Sequence, residues 1–272
     1  MNNLPQKPQT CQTDVVCSTG NYLDFLQTKQ KTHILSGFDV DVKELNSNMF
    51  DFQKFIVKRA LKAGKYAIFA DCGLGKTLMQ LEWANQVCKR TNSKVLILAP
   101  LAVVEQTIQE GVKFGIDMQN IDVENYEQLN NIDCSIYSGV VLDESSILKN
   151  FEGATKKLIL DLFANTPYKL ACTATPSPND PMELGNHSEF LDVMSRNEML
   201  AMYFVHDGGE TAKWRLKGHA TKLFYQFVGS WAIMLNKPMD IGFEMNGYDL
   251  PKLNLLENQI KTPKREDRKS VV

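Results

Sequence analysis

The chain has 272 residues, 43% hydrophobic and 23% charged, with a formal net charge of −2. That balance fits an ordinary folded globular protein and excludes a fibre, a low-complexity tail or a polycation that coats nucleic acid, so any nucleic-acid contact has to come from a local patch. Six cysteines (Cys11, Cys17, Cys72, Cys88, Cys134, Cys172) form no CxxC pair, the four histidines are scattered, and no apolar stretch approaches a membrane span. The expectation is therefore reduced thiols, no zinc site, no membrane association and a cytoplasmic location.

Residues 1–44 read as an N-terminal arm: the first 20 are polar and rich in Gln, Thr and Pro, and a short helix is expected over 22–30. Apolar residues at helical spacing, Phe52, Phe55, Ile56 and Ala60, predict a helix over 50–61. The period then changes. The apolar run YAIFA (66–70) breaks into DCGLG, and KTLMQLEWANQVCK predicts a helix directly after it. KVLILAP (94–100) is a second buried-strand pattern, followed by the helical AVVEQTIQEGVKF. GVVLDE (139–144) and YKLACTAT (168–175) are two further apolar strands that end in polar residues.

Continuous apolar strands separated by helices predict an α/β fold over 45–190, a doubly wound parallel sheet with helices on both faces. In such sheets chemistry gathers outside the carboxyl ends of the strands, where the polar motifs of this chain lie. Beyond 190, stretches rich in aromatics and Met such as TKLFYQFVGSWAIML predict a helical extension over 191–272, closing in the charged KTPKREDRKSVV.

The segment Ala70-Asp71-Cys72-Gly73-Leu74-Gly75-Lys76-Thr77 matches a phosphate loop except that Ala70 stands at its first glycine. Gly73 and Gly75 let the backbone curl so that successive N–H groups point at a phosphate, and the following helix adds its positive end. Lys76 can reach the β- and γ-phosphates of ATP, and the Thr77 hydroxyl can ligate Mg2+. Asp143-Glu144 closes the strand GVVL downstream of that loop. Asp143 is the second candidate for the metal, and Glu144 the candidate to orient and polarise an attacking water. Thr173-Ala174-Thr175 closes the next strand, where short hydroxyl side chains can bond to Glu144 and relay the state of the γ-phosphate.

Taken in order, these motifs resemble superfamily-two helicases, and more narrowly the Swi/Snf-type DNA translocases, including their small phage versions. DCGLGKT, VLILAP, ENYEQL, VVLDESSILKN and TATPSPND are similar to successive family motifs, with Ser145 and Ser146 in place of a more usual Ala-His or Ala-Asp. The resemblance covers about 35–190, and more weakly to about 255. It implies a RecA-like P-loop NTPase lobe that uses ATP and Mg2+, with Gln53 reading adenine and Phe50 stacking on the ring. Leu74 lies within the nucleotide-binding loop, and the loop around Pro100 and Leu101 faces the DNA backbone. The resemblance favours duplex DNA as the track, with RNA left open, and the host cytoplasm if the chain is viral.

Family members carry a second lobe whose arginines reach the γ-phosphate, a contribution of several orders of magnitude to turnover. After residue 190 neither the length nor an arginine motif for that lobe is present, so the sequence predicts nucleotide binding and poor turnover alone. The second lobe is expected in trans or in further downstream sequence. A nucleotide-switched interaction module that docks to a separate chain is the alternative, and a small-molecule kinase a more distant one.

Of the remaining candidates, Lys213, Arg215, Lys217 and Lys222 around Trp214 and Leu216 suit a solvated strand or turn better than a DNA-contacting face. Phe224, Phe227 and Trp231, with Tyr225 beside them, fit a packing face. His187, His206 and His219 show no metal spacing. Cys72 is expected to be a small space-filler.

Overall fold

The computed structural model describes residues 35–149, 153–206 and 214–244. The helix expected over 22–30, Lys213 and the charged end lie outside these residues. Helix α1 (Asp51–Ala63) follows the expected apolar spacing and buries Phe52, Ile56, Val57, Ala60 and Leu61. It ends where Gly64 adopts φ +78°, a left-handed turn that glycine makes without steric cost. Strand β1 (Lys65–Ala70) follows at once, and α2 (Lys76–Thr91) opens directly after the glycine-rich loop.

The chain then continues with β2 (Lys94–Ala99), α3 (Val104–Lys113), β3 (Ile121–Asn125), β4 (Tyr137–Asp143), α4 (Ala154–Leu162) and β5 (Tyr168–Thr173). After these come α5 (Leu184–Phe190), α6 (Arg196–Tyr203) and a small antiparallel pair, β6 (Phe204–His206) with β7 (Trp214–Leu216). Helix α7 (Thr221–Trp231) and strand β8 (Ala232–Leu235) follow, with a short 3-10 turn (Pro238–Ile241) before the end of the described residues.

Six of these strands form one sheet in the order β3-β2-β4-β5-β1-β8, with every pairing parallel. The four strands read from sequence are its centre, buried on both faces. Ile68, Ile97, Val141 and Leu170 pack on one face with α1 and α2. Phe69, Leu98, Leu142 and Ala171 pack on the other with residues of α4 to α7.

Both outer strands depart from the sequence reading. Strand β3, IDVEN, buries only Ile121 and Val123, and this half-polar alternation at a sheet edge lacks the continuous apolar signature. The stretch expected to be helical over 221–235 is helix only to Trp231; Ala232–Leu235 instead pairs with Ala67–Ala70 of β1. The sheet therefore runs past the boundary expected at 190. Four apolar residues following an apolar helix carry no period of their own, so strand pairing decides their conformation. Phe224, Phe227 and Trp231 are buried as a packing face.

At the end of the sheet remote from the glycine loop, Lys169 is buried at 2% exposure and its Nζ lies 2.7 Å from Asp192 Oδ2. Lys65 Nζ reaches the same oxygen at 2.7 Å. Among the described residues no helix is long and apolar enough to cross a membrane. Asp192→Asn keeps the left-handed backbone (φ +53°) but removes the charge facing Lys169. Urea unfolding is expected to show a loss of about 2 kcal/mol, below the full cost of breaking a buried pair because Asp192 is partly exposed. Adding Lys169→Met should recover most of it.

Candidate functional site

The glycine loop carries the backbone its sequence requires. Gly73 has φ +82° and Gly75 φ +75°. A Cβ at Gly73 would meet no heavy atom within 4 Å, so the loop has open room above it. Gly75 is the N-cap of the 16-residue α2 and no side chain caps that end. The first-turn N–H groups and the helix dipole are thus directed at the loop, the arrangement a phosphate binds. Lys76 folds back over the loop, its Nζ donating to the Ala70 carbonyl at 2.9 Å and the Asp71 carbonyl at 3.2 Å. Thr77 stands half-buried in the first turn of α2, and Leu74 is buried beneath the loop. Cys72 is exposed rather than filling space.

Strand order brings the second half of the site alongside. β1 pairs with β5, and β5 with β4, so that Asp143 lies opposite Cys172 and Phe69 opposite Thr173. Burial pushes the Asp143 carboxyl pKa up, while a hydrogen bond from Gln80 and the nearby Lys76 charge act against it. Gln80 Nε2 donates to Asp143 Oδ1 at 2.7 Å.

Glu144 adopts φ +52°, a left-handed conformation that costs a non-glycine residue on the order of 1 kcal/mol and needs support from its surroundings. That support is on hand. Thr173 Oγ1 donates to Glu144 Oε1 at 2.7 Å and Ser146 Oγ at 2.8 Å. Thr173 Oγ1 also accepts the Thr175 N–H at 3.0 Å. The Thr173–Glu144 link read from the sequence is thus present in the structure. Ala174 is half-buried and Thr175 exposed, neither bonding to Glu144 through its side chain.

Gln53 sits in the first turn of α1, buried, with both ends of its amide engaged. Its Oε1 accepts the Phe50 N–H at 2.9 Å and its Nε2 donates to the Leu74 carbonyl at 3.0 Å. It therefore caps its own helix and braces the glycine loop. Phe50 is 56% exposed, stacked on Phe52 rather than sunk in the core. Pro100 and Leu101 line a cavity of about 480 Å³ together with Asn125, Tyr126, Glu144 and Lys149.

Three residues that hold the site were given no role there by the sequence, although Tyr126 lies within the ENYEQL motif. Gln80 is one. Tyr126 is another, its hydroxyl donating to the Asp143 carbonyl at 2.7 Å. The third is His187, whose Nε2 lies 3.0 Å from Ser145 Oγ. Arg215, Lys222, His206 and His219 are exposed on and around the β6–β7 pair. Lys217 Nζ donates to the carbonyls of Ala201 and Met202 at the end of α6.

Among the described residues no group of three His, Cys, Asp or Glu side chains could hold a metal ion. One carboxylate and one hydroxyl are what magnesium takes from a protein when nucleotide phosphates and water complete its shell. Asp143 and Thr77 fit that need.

No family model and no curated protein sequence matches the chain. Solved structures similar to it include the Sulfolobus solfataricus SWI2/SNF2 ATPase core in complex with dsDNA, which aligns over 71% of this chain and 45% of its own at 19% identity and a TM-score of 0.58. The Sulfolobus solfataricus SWI2/SNF2 ATPase core domain aligns over 74% of this chain and 48% of its own, at 18% identity and a TM-score of 0.54. The chain shares its fold with part of these two ATPase cores. This agrees with the resemblance read from the motifs, and the chain spans less than half the length of either structure. Within this fold, the glycine loop and the Asp143-Glu144 pair occupy the carboxyl ends of β1 and β4, on one side of the sheet.

Burial lowers the His187 pKa from 6.5 to about 4. The unfolded chain therefore takes up a proton below pH 6.5 that the folded chain refuses until near pH 4, and stability falls as pH drops through that window. Urea unfolding at pH 7.5 and pH 5 is expected to show His187 contributing about 2 kcal/mol of acid destabilisation. His187→Gln should lack this component, so the gap between wild type and variant narrows by that amount at pH 5.

Proposed function

We propose that the chain is the ATP-binding lobe of a DNA-dependent ATPase of the helicase or double-stranded DNA translocase type, which needs a second lobe for full turnover. The observation that carries this reading is the Thr173–Glu144 hydrogen bond, formed beside an uncapped glycine loop at the same edge of the sheet. It makes the water-activating carboxylate and the following strand-end motif one unit, as an ATP-hydrolysing site requires.

Lys76 would leave the Ala70 and Asp71 carbonyls to meet the β- and γ-phosphates, and the loop N–H groups would cradle them. Thr77 and Asp143 would hold magnesium. When bound, the ion supplies charge neutralisation on the transferring phosphoryl group. Glu144 has Oε1 tied to Thr173 and Ser146, so Oε2 is the atom that orients water and accepts its proton. For Gln53 to read adenine, its amide has to exchange the Leu74 carbonyl for the base, which links base binding to the loop. Phe50, just before α1, would stack on the base.

Duplex DNA is the favoured track, since one similar ATPase core was solved with dsDNA, and the Pro100–Leu101 cavity lies beside Glu144, where a track could bias it.

ATP hydrolysis with and without duplex DNA, with Glu144→Gln as the blank, tests the reading. Turnover that rises with DNA and vanishes in the variant is the expected result for a site completed by self-association. Turnover at the blank level, with Mg2+-ATP binding lost in Lys76→Ala, is the expected result for a lobe that needs its partner. Mg2+-ATP affinity untouched by Lys76→Ala would overturn the assignment.

Where turnover is measurable, Thr173→Val is expected to lower it about ten- to a hundredfold by freeing the Glu144 carboxylate, with ATP affinity unchanged. Equal losses in both would instead mark Thr173 as a binding residue.

A further inference from the structure

Gln80 lies four residues after Lys76 on α2, so the two side chains share one face of the helix a single turn apart. It is fully buried, and its Nε2 donates to Asp143 Oδ1 at 2.7 Å. Its other amide end, Oε1, is buried without a hydrogen-bond partner. A buried amide whose oxygen is unpaired is a poor structural tie, because that oxygen carries an uncompensated desolvation cost. An apolar side chain of the same size would serve packing at least as well. What such a side chain lacks is the N–H that pins one oxygen of the candidate metal-binding carboxylate.

We infer that Gln80 is a positioning residue that fixes the Asp143 carboxylate for magnesium and so makes nucleotide affinity depend on the metal. The inference rests on the nucleotide-binding reading above. The hydrogen bond is short and assisted by charge. It holds the carboxylate rotamer, and the other carboxylate oxygen would be open to the metal. Because Gln80 and Lys76 ride on one helix, a shift of the glycine loop also moves the donor that sets the carboxylate. Phosphate binding and metal binding are thereby coupled through α2 rather than through the ligand alone.

The test is binding of a fluorescent ATP analogue, N-methylanthraniloyl-ATP, to wild type, Gln80→Met and Gln80→Glu, each in EDTA and across a Mg2+ titration, with thermal midpoints measured alongside. Gln80→Met is expected to bind within about twofold of wild type in EDTA. It should lose about tenfold or more of the affinity gained with Mg2+, the range typical when a side chain supporting a metal ligand is removed. Its thermal midpoint is expected to stay within about 5 °C of wild type, since relief of the orphaned Oε1 offsets the hydrogen bond lost from Asp143. Gln80→Glu keeps the size but sets a second carboxyl against Asp143, so the two share a proton that magnesium must displace, and it is expected to lose the same gain.

The inference is overturned if both variants keep the wild-type Mg2+ gain. Equal weakening in EDTA and in Mg2+, or failure of Gln80→Met to fold, overturns it too, since each marks a structural tie. Wild type that binds the analogue with no Mg2+ gain would instead sink the nucleotide reading itself.

Discussion

The parallel pairing of β1 with β5, and of β5 with β4, is the constraint on which the rest of the site depends. Parallel strands all carry their carboxyl ends to the same edge, so the glycine loop after β1, Thr173 at the end of β5 and the Asp143-Glu144 pair at the end of β4 meet without any contact between them in sequence. The register is exacting. Asp143 stands opposite Cys172, which places the Thr173 hydroxyl at 2.7 Å from Glu144. A slip of one residue would send Thr173 to the other face of the sheet and undo the link.

Around that edge the acidic pair is held from several directions by different elements. Gln80 of α2 holds the Asp143 carboxylate, and Tyr126, just after β3, holds its carbonyl. Thr173 and Ser146 hold the Glu144 carboxylate, and His187 of α5 anchors Ser145. This density of bonds sustains the left-handed backbone at Glu144, which strain would otherwise relax. Backbone strain held in place by its neighbours is a mark of a preorganised site.

Helix α2 is the second organising element. Its first turn offers N–H groups to a phosphate, its second carries Gln80, and it stays almost wholly buried from Leu78 to Cys88. Such a helix has to satisfy its polar residues internally: Glu82 accepts from Asn85 and Gln86, and Gln86 Nε2 also donates to the Glu44 carbonyl. A loop whose supporting helix is sunk between the sheet and α1 is placed by the core, so packing and ligand geometry are set together.

The sequence by itself determined the fold class, the four central strands and the residues of the glycine loop and acidic pair. Each rests on local chemistry: continuous apolar runs that must be buried on both faces, glycines that permit left-handed turns, and polar residues placed at strand ends. The two outer strands were decided by the tertiary structure, because IDVEN alternates at an edge and AIML is too short to show a period. The supports Gln80, Tyr126 and His187 were likewise decided there. Their types are ordinary on a helix or a loop; Gln80 and Tyr126 reach Asp143 across 63 and 17 residues of chain, and His187 reaches Ser145, next to the acidic pair, across 42. Contacts at such separations follow from strand order and register, which no local pattern encodes.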